Sequence, residues 1–191
     1  SGSANWFESF IKDWIIWLPT TKGFFSPDNI KDVHAYGVEM KANLDVVLAK
    51  EWQLGLNGTF SWTPSINCGE PRTPADQSVG KQLPYVPEYS SSVTGRLAWR
   101  RWTFMYKWCY YSERFTMSSN DISLTGKLPK YYMSNISLEK VLAFKWADLS
   151  LKGTINTLFD EEYLSVLSRP MPGINFEIFI GITPKWGAMK K

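Results

Sequence analysis

The sequence has little of what most functional classes require. No apolar run approaches the roughly 18 residues of a transmembrane helix, which excludes a protein that spans a membrane by helices. The formal net charge of +3 is small, and no basic stripe accompanies it. These features argue against nucleic-acid binding, which normally requires a concentrated positive surface.

Residues that perform catalysis or hold metals are equally scarce. The only histidine, His34, has no nucleophile or carboxylate pattern near it, so we interpret it as an interfacial or rim residue. Cys68 and Cys109 have no metal-ligand spacing around them, and a disulfide between them would require the loop around Cys68 to fold inward. We therefore predict no enzyme, no catalytic residue, no cofactor and no metal site.

What the sequence does have is alternation. From Trp52 to Trp62, apolar side chains occupy almost every second position, which indicates a strand with one apolar and one polar face. The segment is longer than the usual soluble strand of about 5–6 residues and matches the roughly 9–11 residues of a strand that crosses a bilayer. The pattern recurs in Val38–Val46, Val93–Trp99, Phe104–Tyr110, Tyr132–Leu138, Leu149–Ile155 and Phe176–Ile182. Ile11–Leu18, apolar on both faces, is a weaker eighth candidate.

The connections between these segments alternate strictly between short and long. The short ones are Ala49–Glu51, Arg100–Arg101 and Phe144–Trp146; the long ones are Pro19–Asp32, Thr63–Pro87, Ser112–Lys130 and Phe159–Gly173. This spacing predicts an antiparallel up-and-down outer-membrane β-barrel with short periplasmic turns and long outer loops. Its lumen would be lined by Glu39, Lys41, Asp45, Arg96, Lys107, Glu139 and Lys152.

Aromatic residues support this placement because they cluster at the ends of the predicted strands. Trp52, Trp102, Trp146 and Trp186 lie beside short turns or near the end of the sequence, and Trp62, Tyr110 and Tyr131 lie at the opposite strand ends. Two such groups are typical of the aromatic girdles at the two membrane interfaces. The alternative, a large soluble core, would place them in mid-strand.

Four motifs then follow one another in a known order. They are Phe25–Ile30 with Gly37–Glu39, Leu83–Pro87, Leu158–Tyr163 and Arg169–Phe176. Together they resemble segments of TonB-dependent outer-membrane receptors. Thr157 stands where that family usually has asparagine, and Ile174 replaces the arginine after glycine. Trp186 resembles the terminal aromatic residue that the assembly machinery reads, although five residues follow it.

The resemblance implies an all-β transmembrane barrel with about eight strands here, as the last strands of a 22-stranded barrel with a plugged lumen. Residues 1–191 would form its C-terminal part, with 1–5 as a linker or cut end and the plug absent. Eight strands with two open edges in lipid are not tolerated. Either further strands lie elsewhere, or the chain closes on itself as a small barrel.

By resemblance, the function is energised uptake of a scarce nutrient, such as cobalamin or a ferric siderophore, across the bacterial outer membrane. The implied partners are outer-membrane lipid, upstream strands and a plug on another chain or a missing portion, the TonB system acting through that plug, and the small-molecule nutrient. Nucleic acid is not among them. The alternative is an autonomous eight-stranded barrel with a structural or surface-interaction role, a surface lipoprotein being one possible partner.

Candidate ligand-contacting residues are aromatic or charged side chains at the outer strand ends. They are Tyr85, Tyr110, Tyr111, Arg114 and Tyr131. Each tyrosine also fits a place in the girdle. The loop Thr63–Pro87 is long enough to contact a ligand or a partner protein.

Overall fold

The computed structural model describes residues 1–19, 24–71 and 73–185. The long strands are β1 (Gly2–Pro19), β2 (Phe25–Ala49), β3 (Trp52–Trp62), β5 (Tyr89–Trp99), β6 (Trp102–Tyr111), β9 (Tyr131–Ala143), β10 (Ala147–Asn156) and β13 (Asn175–Pro184). The short ones are β4 (Ser65–Asn67), β7 (Arg114–Phe115), β8 (Lys127–Leu128), β11 (Leu164–Val166) and β12 (Arg169–Pro170). None of the described residues forms a helix long and apolar enough to cross a membrane.

The long strands form one antiparallel sheet in the order β1-β2-β3-β5-β6-β9-β10-β13. Each long strand therefore pairs with the long strand that follows it in the chain, as the alternating connections predict. The up-and-down sheet is confirmed. The short strands belong to the long connections: β4 pairs with β2, β7 with β8, and β11 with β12.

The register separates the sheet into an apolar and a polar face. Met40 of β2 pairs with Phe60 of β3, and Leu138 of β9 pairs with Phe104 of β6, so that apolar residues form continuous rows across strands. This face has no second layer against it, since Ile178 is 84% exposed in the described structure. Such a wall of exposed apolar side chains suits lipid rather than water.

The two outer strands of the sheet have one long-strand neighbour each. Among the described residues β1 pairs only with β2, and β13 pairs only with β10. The structure thus does not show the closed eight-stranded barrel that the sequence left open as an alternative.

The β1–β2 hairpin differs from the sequence-based expectation. Most of the predicted long connection Pro19–Asp32 is strand, because β2 begins at Phe25 and its first residues pair with the stretch Lys12–Pro19 of β1. Residues 1–5, predicted as a linker or a cut end, belong to β1 from Gly2 onward and so do not form a linker, with Gly2 opposite Ala42. Pro27 lies opposite Trp17, near the start of β2, in a part of the strand that pairs with β1 alone among the described residues, and proline within sheets is confined to such edge positions.

A small core at the long-loop end fixes the loop Thr63–Pro87. Val33 and Leu83 are 1% and 3% exposed, and Ile11 and Val86 pack against them. Ile11 of β1 and Val33 of β2 are register partners, and both occupy alternate positions that point to the polar face of the sheet. The loop therefore folds back over the polar face and not over the apolar one.

Candidate functional site

Arg114 lies at the centre of the long-loop end. It belongs to the β7–β8 pair in the connection Ser112–Lys130 and is only 5% exposed. Its Nη2 donates to the carbonyl oxygens of Leu164, at 2.9 Å, and Pro129, at 3.5 Å. Its guanidinium carbon lies 4.6 Å from the ring centroid of Tyr131, in a cation–π contact.

Three tyrosines form a stack beside this guanidinium. The rings of Tyr111 and Tyr131 lie 5.1 Å apart, and those of Tyr131 and Tyr163 lie 4.7 Å apart with an interplanar angle of 14°. Tyr111 and Tyr131 are register partners at the ends of β6 and β9. Tyr163 comes from the loop after β10; we did not predict it as a contact, although it ends the Leu158–Tyr163 motif. Burial raises the pKa of Tyr163.

Tyr85 joins the group from the loop Thr63–Pro87. Its N–H donates to the carbonyl of Phe115 at 2.7 Å, and its φ of 61° is in the left-handed region. Burial raises the pKa of Tyr85, against the opposing effect of the Arg114 charge, and burial lowers the pKa of Arg114. The Tyr85 hydroxyl and Arg114 Nε are buried without a hydrogen-bond partner in the described structure.

We call Tyr85, Tyr111, Arg114, Tyr131 and Tyr163 the tyrosine–arginine cluster. Four of its members are among the predicted ligand contacts. The fifth predicted residue, Tyr110, is elsewhere: it lies on the apolar face opposite Tyr132, and its ring stacks on Trp108 at 6.3 Å. Adjacent residues of a strand point to opposite faces, so Tyr110 and Tyr111 could not both reach the cluster.

The loops around the cluster are tied to one another by hydrogen bonds. Gln82 N–H donates to Asn120 Oδ1 and Asn120 Nδ2 donates to the Gln82 carbonyl, both at 2.8 Å. These bonds join Thr63–Pro87 to Ser112–Lys130, and Arg114 joins the latter to Leu164. Three long loops thus meet at one place.

Asp160, in the Leu158–Tyr163 motif, closes the third loop. Its Oδ1 accepts the N–H of Ile174 at 2.8 Å, and a Cβ at Gly173 would overlap the same oxygen. We expect Asp160→Ala to weaken closure of this loop by about 1.5–3 kcal/mol, since a backbone donor loses a charged acceptor. Faster hydrogen exchange at the Ile174 amide would show this. Asp160→Asn retains a side-chain oxygen and should preserve most of the protection; equal loss in both variants would contradict the assigned role.

A cavity of about 530 Å³ lies next to the cluster. Its wall includes Tyr163, Leu164, Met171 and Glu161. Both carboxylate oxygens of Glu161 are buried and have no hydrogen-bond partner among the described residues. The cavity therefore combines aromatic, apolar and acidic surface, the mixture that a polar small molecule requires.

Of the cluster, only Tyr163 contributes to this wall, so none of the five predicted ligand contacts lines the cavity. His34, Cys68 and Cys109 also lie away from it. His34 Nε2 is 2.8 Å from Glu8 Oε1, and its ring stacks on Phe10 at 4.3 Å. Cys68 is exposed, Cys109 is buried, and both are free thiols. Within 1–19, 24–71 and 73–185 no group of three or more His, Cys, Asp or Glu residues is placed to hold a metal ion. Trp186 lies outside the described residues.

The single-layer sheet, its exposed apolar face and its long loops at one end define a wall segment of an outer-membrane β-barrel. The family model for the β-barrel of TonB-dependent receptor-like proteins matches residues 1–158. The chain belongs to this family, whose barrels reside in the bacterial outer membrane and whose members are transporters rather than enzymes.

Solved structures of such proteins share the fold. The copper transporter OprC matches with a TM-score of 0.65 and 14% identity, over 96% of this chain and 28% of its own. The ferric citrate transporter FecA matches with a TM-score of 0.66 and 14% identity, over 81% of this chain and 24% of its own. BauA, the ferric preacinetobactin receptor from Acinetobacter baumannii, matches with a TM-score of 0.64 and 11% identity, over 96% of this chain and 27% of its own. The chain thus spans about a quarter of their length. No curated protein gives a significant match.

Proposed function

We propose that this chain forms part of a TonB-dependent receptor that takes up a scarce nutrient across the outer membrane. The observation that supports this best is the convergence of three long loops on the tyrosine–arginine cluster. Two of its tyrosines lie at strand ends on the polar face, which is the lumen side of a barrel. A ligand held there would lie directly above the pore.

The unpaired edges of β1 and β13 favour a larger barrel. An edge strand in lipid leaves a row of backbone N–H and C=O groups without partners, which is costly. We propose that further strands of a 22-stranded receptor pair with both edges, so that this chain forms the C-terminal part of that barrel. A plug, on another chain or on another portion of the same protein, then connects the barrel to the TonB system. The mass of the detergent-purified particle, native against denatured, tests this: a stoichiometric larger partner supports it, and a particle of 22.0 kDa protein alone contradicts it.

For the ligand we propose a ferric siderophore, with cobalamin as the other candidate. The transporters with the same fold are named for copper, ferric citrate and ferric preacinetobactin, which favours a metal chelate. Stacked tyrosine rings and a cavity of about 530 Å³ suit a ligand with planar groups.

Tyr163→Ala tests the cluster as the ligand site, because Tyr163 is the member of the cluster that lines the cavity. We expect the affinity for the transported chelate to fall about tenfold, since an aromatic surface worth roughly 1–2 kcal/mol is removed. Uptake of radioactive iron by a deletion strain carrying the variant measures this, and growth on limiting cobalamin distinguishes the second ligand. Tyr132→Ala is the matched control, because Tyr132 is on the apolar face. Equal effects of the two changes would contradict the site.

A protein-binding role is a second candidate, favoured by the β1–β2 hairpin. Ile15 and Trp17 are each 60% exposed, at the far end of a hairpin that continues past the ends of the neighbouring strands. A surface lipoprotein is the partner that the sequence suggested, and one structure with the same fold, FpvAI, is in complex with pyocin S2. Trp17→Ser would then abolish stoichiometric co-purification of a lipoprotein while nutrient uptake continues. Unchanged co-purification would contradict this role.

A further inference from the structure

The apolar face of the sheet has one charged side chain in its membrane-crossing part. In β3, β5, β6, β9, β10, β13 and the portion of β2 from Val38 onward, the register places only Lys140 among the charged residues on that face. Its side chain contacts the indole of Trp102, with Nζ 4.5 Å from the ring centroid. No carboxylate lies within ion-pair distance of it in the described part of the chain.

The depth of Lys140 in the membrane follows from its row. Trp52, Trp99, Trp102 and Lys140 are successive register partners across β3, β5, β6 and β9, and the Trp52 and Trp99 rings stack at 5.5 Å. A row of tryptophans beside the short turns marks the periplasmic interface. The Lys140 ammonium therefore lies at the level of the lipid headgroups of the periplasmic leaflet.

A groove in the apolar face begins one row of side chains away from Lys140, on the side away from the short turns, and leads into the hydrocarbon region. Gly153 lies between its register partners Leu138 and Ile178, and a Cβ at Gly153 would meet no atom within 4 Å. The resulting groove has a volume of about 430 Å³, and Phe104 and Phe176 extend its walls. Leu138 precedes Lys140 by two residues on the same face, which is about 7 Å along a strand.

We propose that Lys140 and the Gly153 groove form a binding site for an anionic glycerophospholipid of the periplasmic leaflet. The phosphate contacts Lys140 Nζ beside the Trp102 ring, and one acyl chain lies in the groove. A lysine ammonium at headgroup level attracts anionic headgroups by about 1 kcal/mol, and no carboxylate of the described residues pairs with Lys140 in their place. A strand added to the free edge of β13 would extend the sheet in its own plane and leave the groove open.

Native mass spectrometry of the intact detergent-purified receptor tests the proposal with phosphatidylglycerol and phosphatidylcholine of identical acyl chains. We expect the wild-type protein to retain phosphatidylglycerol about fivefold more strongly, the effect of one lysine near an anionic headgroup. Lys140→Gln should remove that preference. Gly153→Leu should fill the groove and lower retention of both lipids.

Lys152→Gln is the matched control. Lys152 is on the next strand, β10, but it lies on the polar face, where its register partner is Glu139. This substitution makes the same change of charge and should preserve the preference. Equal retention of the two lipids by the wild-type protein would overturn the proposal and leave Lys140 as a lysine that reaches interfacial water. Equal losses in Lys140→Gln and Lys152→Gln would also overturn it, since net charge alone would then explain the binding.

Discussion

Replacing Arg114 with methionine is expected to detach the third long loop from the rest of the cluster. The change removes a charged donor from the Leu164 carbonyl and the cation–π contact with Tyr131, while a similar volume remains in the site. We expect the docking of this loop to weaken by about 2–3 kcal/mol. Hydrogen exchange at the amides of β11 should accelerate on the order of a hundredfold, and ligand affinity should fall with it.

Two variants make this prediction specific. Arg114→Lys keeps the charge but loses the planar guanidinium that lies over Tyr131 while its Nη2 donates to Leu164, so it should restore little of the protection. Lys127→Met removes another cation of the same loop, which pairs with a Glu113 side chain that is 56% exposed. An exposed pair contributes about 0–1 kcal/mol, so exchange at β11 should hardly change. If Lys127→Met accelerated exchange as much as Arg114→Met, Arg114 would not be the connection between the loops.

The second large effect is expected at Gly37. A Cβ at this position would overlap the carbonyl oxygen of Trp62, and it would lie 2.9 Å from the Trp62 carbonyl carbon and 3.1 Å from Thr63 Cα. All three are backbone atoms, at the point where the chain leaves β3 and continues to β4, so no side chain can move aside. We expect Gly37→Ala to reduce the folded form on the order of tenfold or more. The heat-dependent shift in electrophoretic mobility of outer-membrane extracts measures the folded fraction.

Gly58→Ala is the control for this prediction. Gly58 is in the adjacent strand β3 opposite Ala42, and a Cβ there would meet no atom within 4 Å. An alanine also loses less conformational freedom on folding than a glycine. The variant should fold as well as the wild type. Normal folding of Gly37→Ala would show that the β3–β4 crossing can shift, and the clash would then have no structural consequence.

The sequence predicted the strands where a single physical signal dominated. In Trp52–Trp62 the alternation specifies both faces, and the strand bounds in the structure are the same as predicted. Strand order followed from the short connections. The two-residue connection Arg100–Arg101, for example, is long enough only for a hairpin, so β5 and β6 must be adjacent and antiparallel. The hairpin β1–β2 was predicted less well, because Ile11–Leu18 has no alternation and Pro27, Asp28 and Asn29 favour turns. Pairing with the opposite strand overrode that local preference.

The candidate site was predictable only in part. Position at an outer strand end selected five candidate ligand contacts, of which the structure brings Tyr85, Tyr111, Arg114 and Tyr131 together and places Tyr110 on the other face. Strand parity, had it been applied to Tyr110 and Tyr111, would have separated them. Tyr163 could not be found in this way, because the fold of its loop depends on the Asp160 contact with Ile174, which is distant in sequence.

The sequence by itself determined the class of this protein. A period of two, strand length and the alternation of short and long connections are local properties of the sequence. They are enough to specify a barrel wall, because such a wall needs only an apolar face toward lipid and a polar face toward the water-filled lumen. Tertiary structure alone decided how the long loops fold, which tyrosines meet Arg114, and that Lys140 lies beside the Gly153 groove. These contacts join residues far apart in the chain, and their geometry depends on packing and register between strands, which no local pattern encodes.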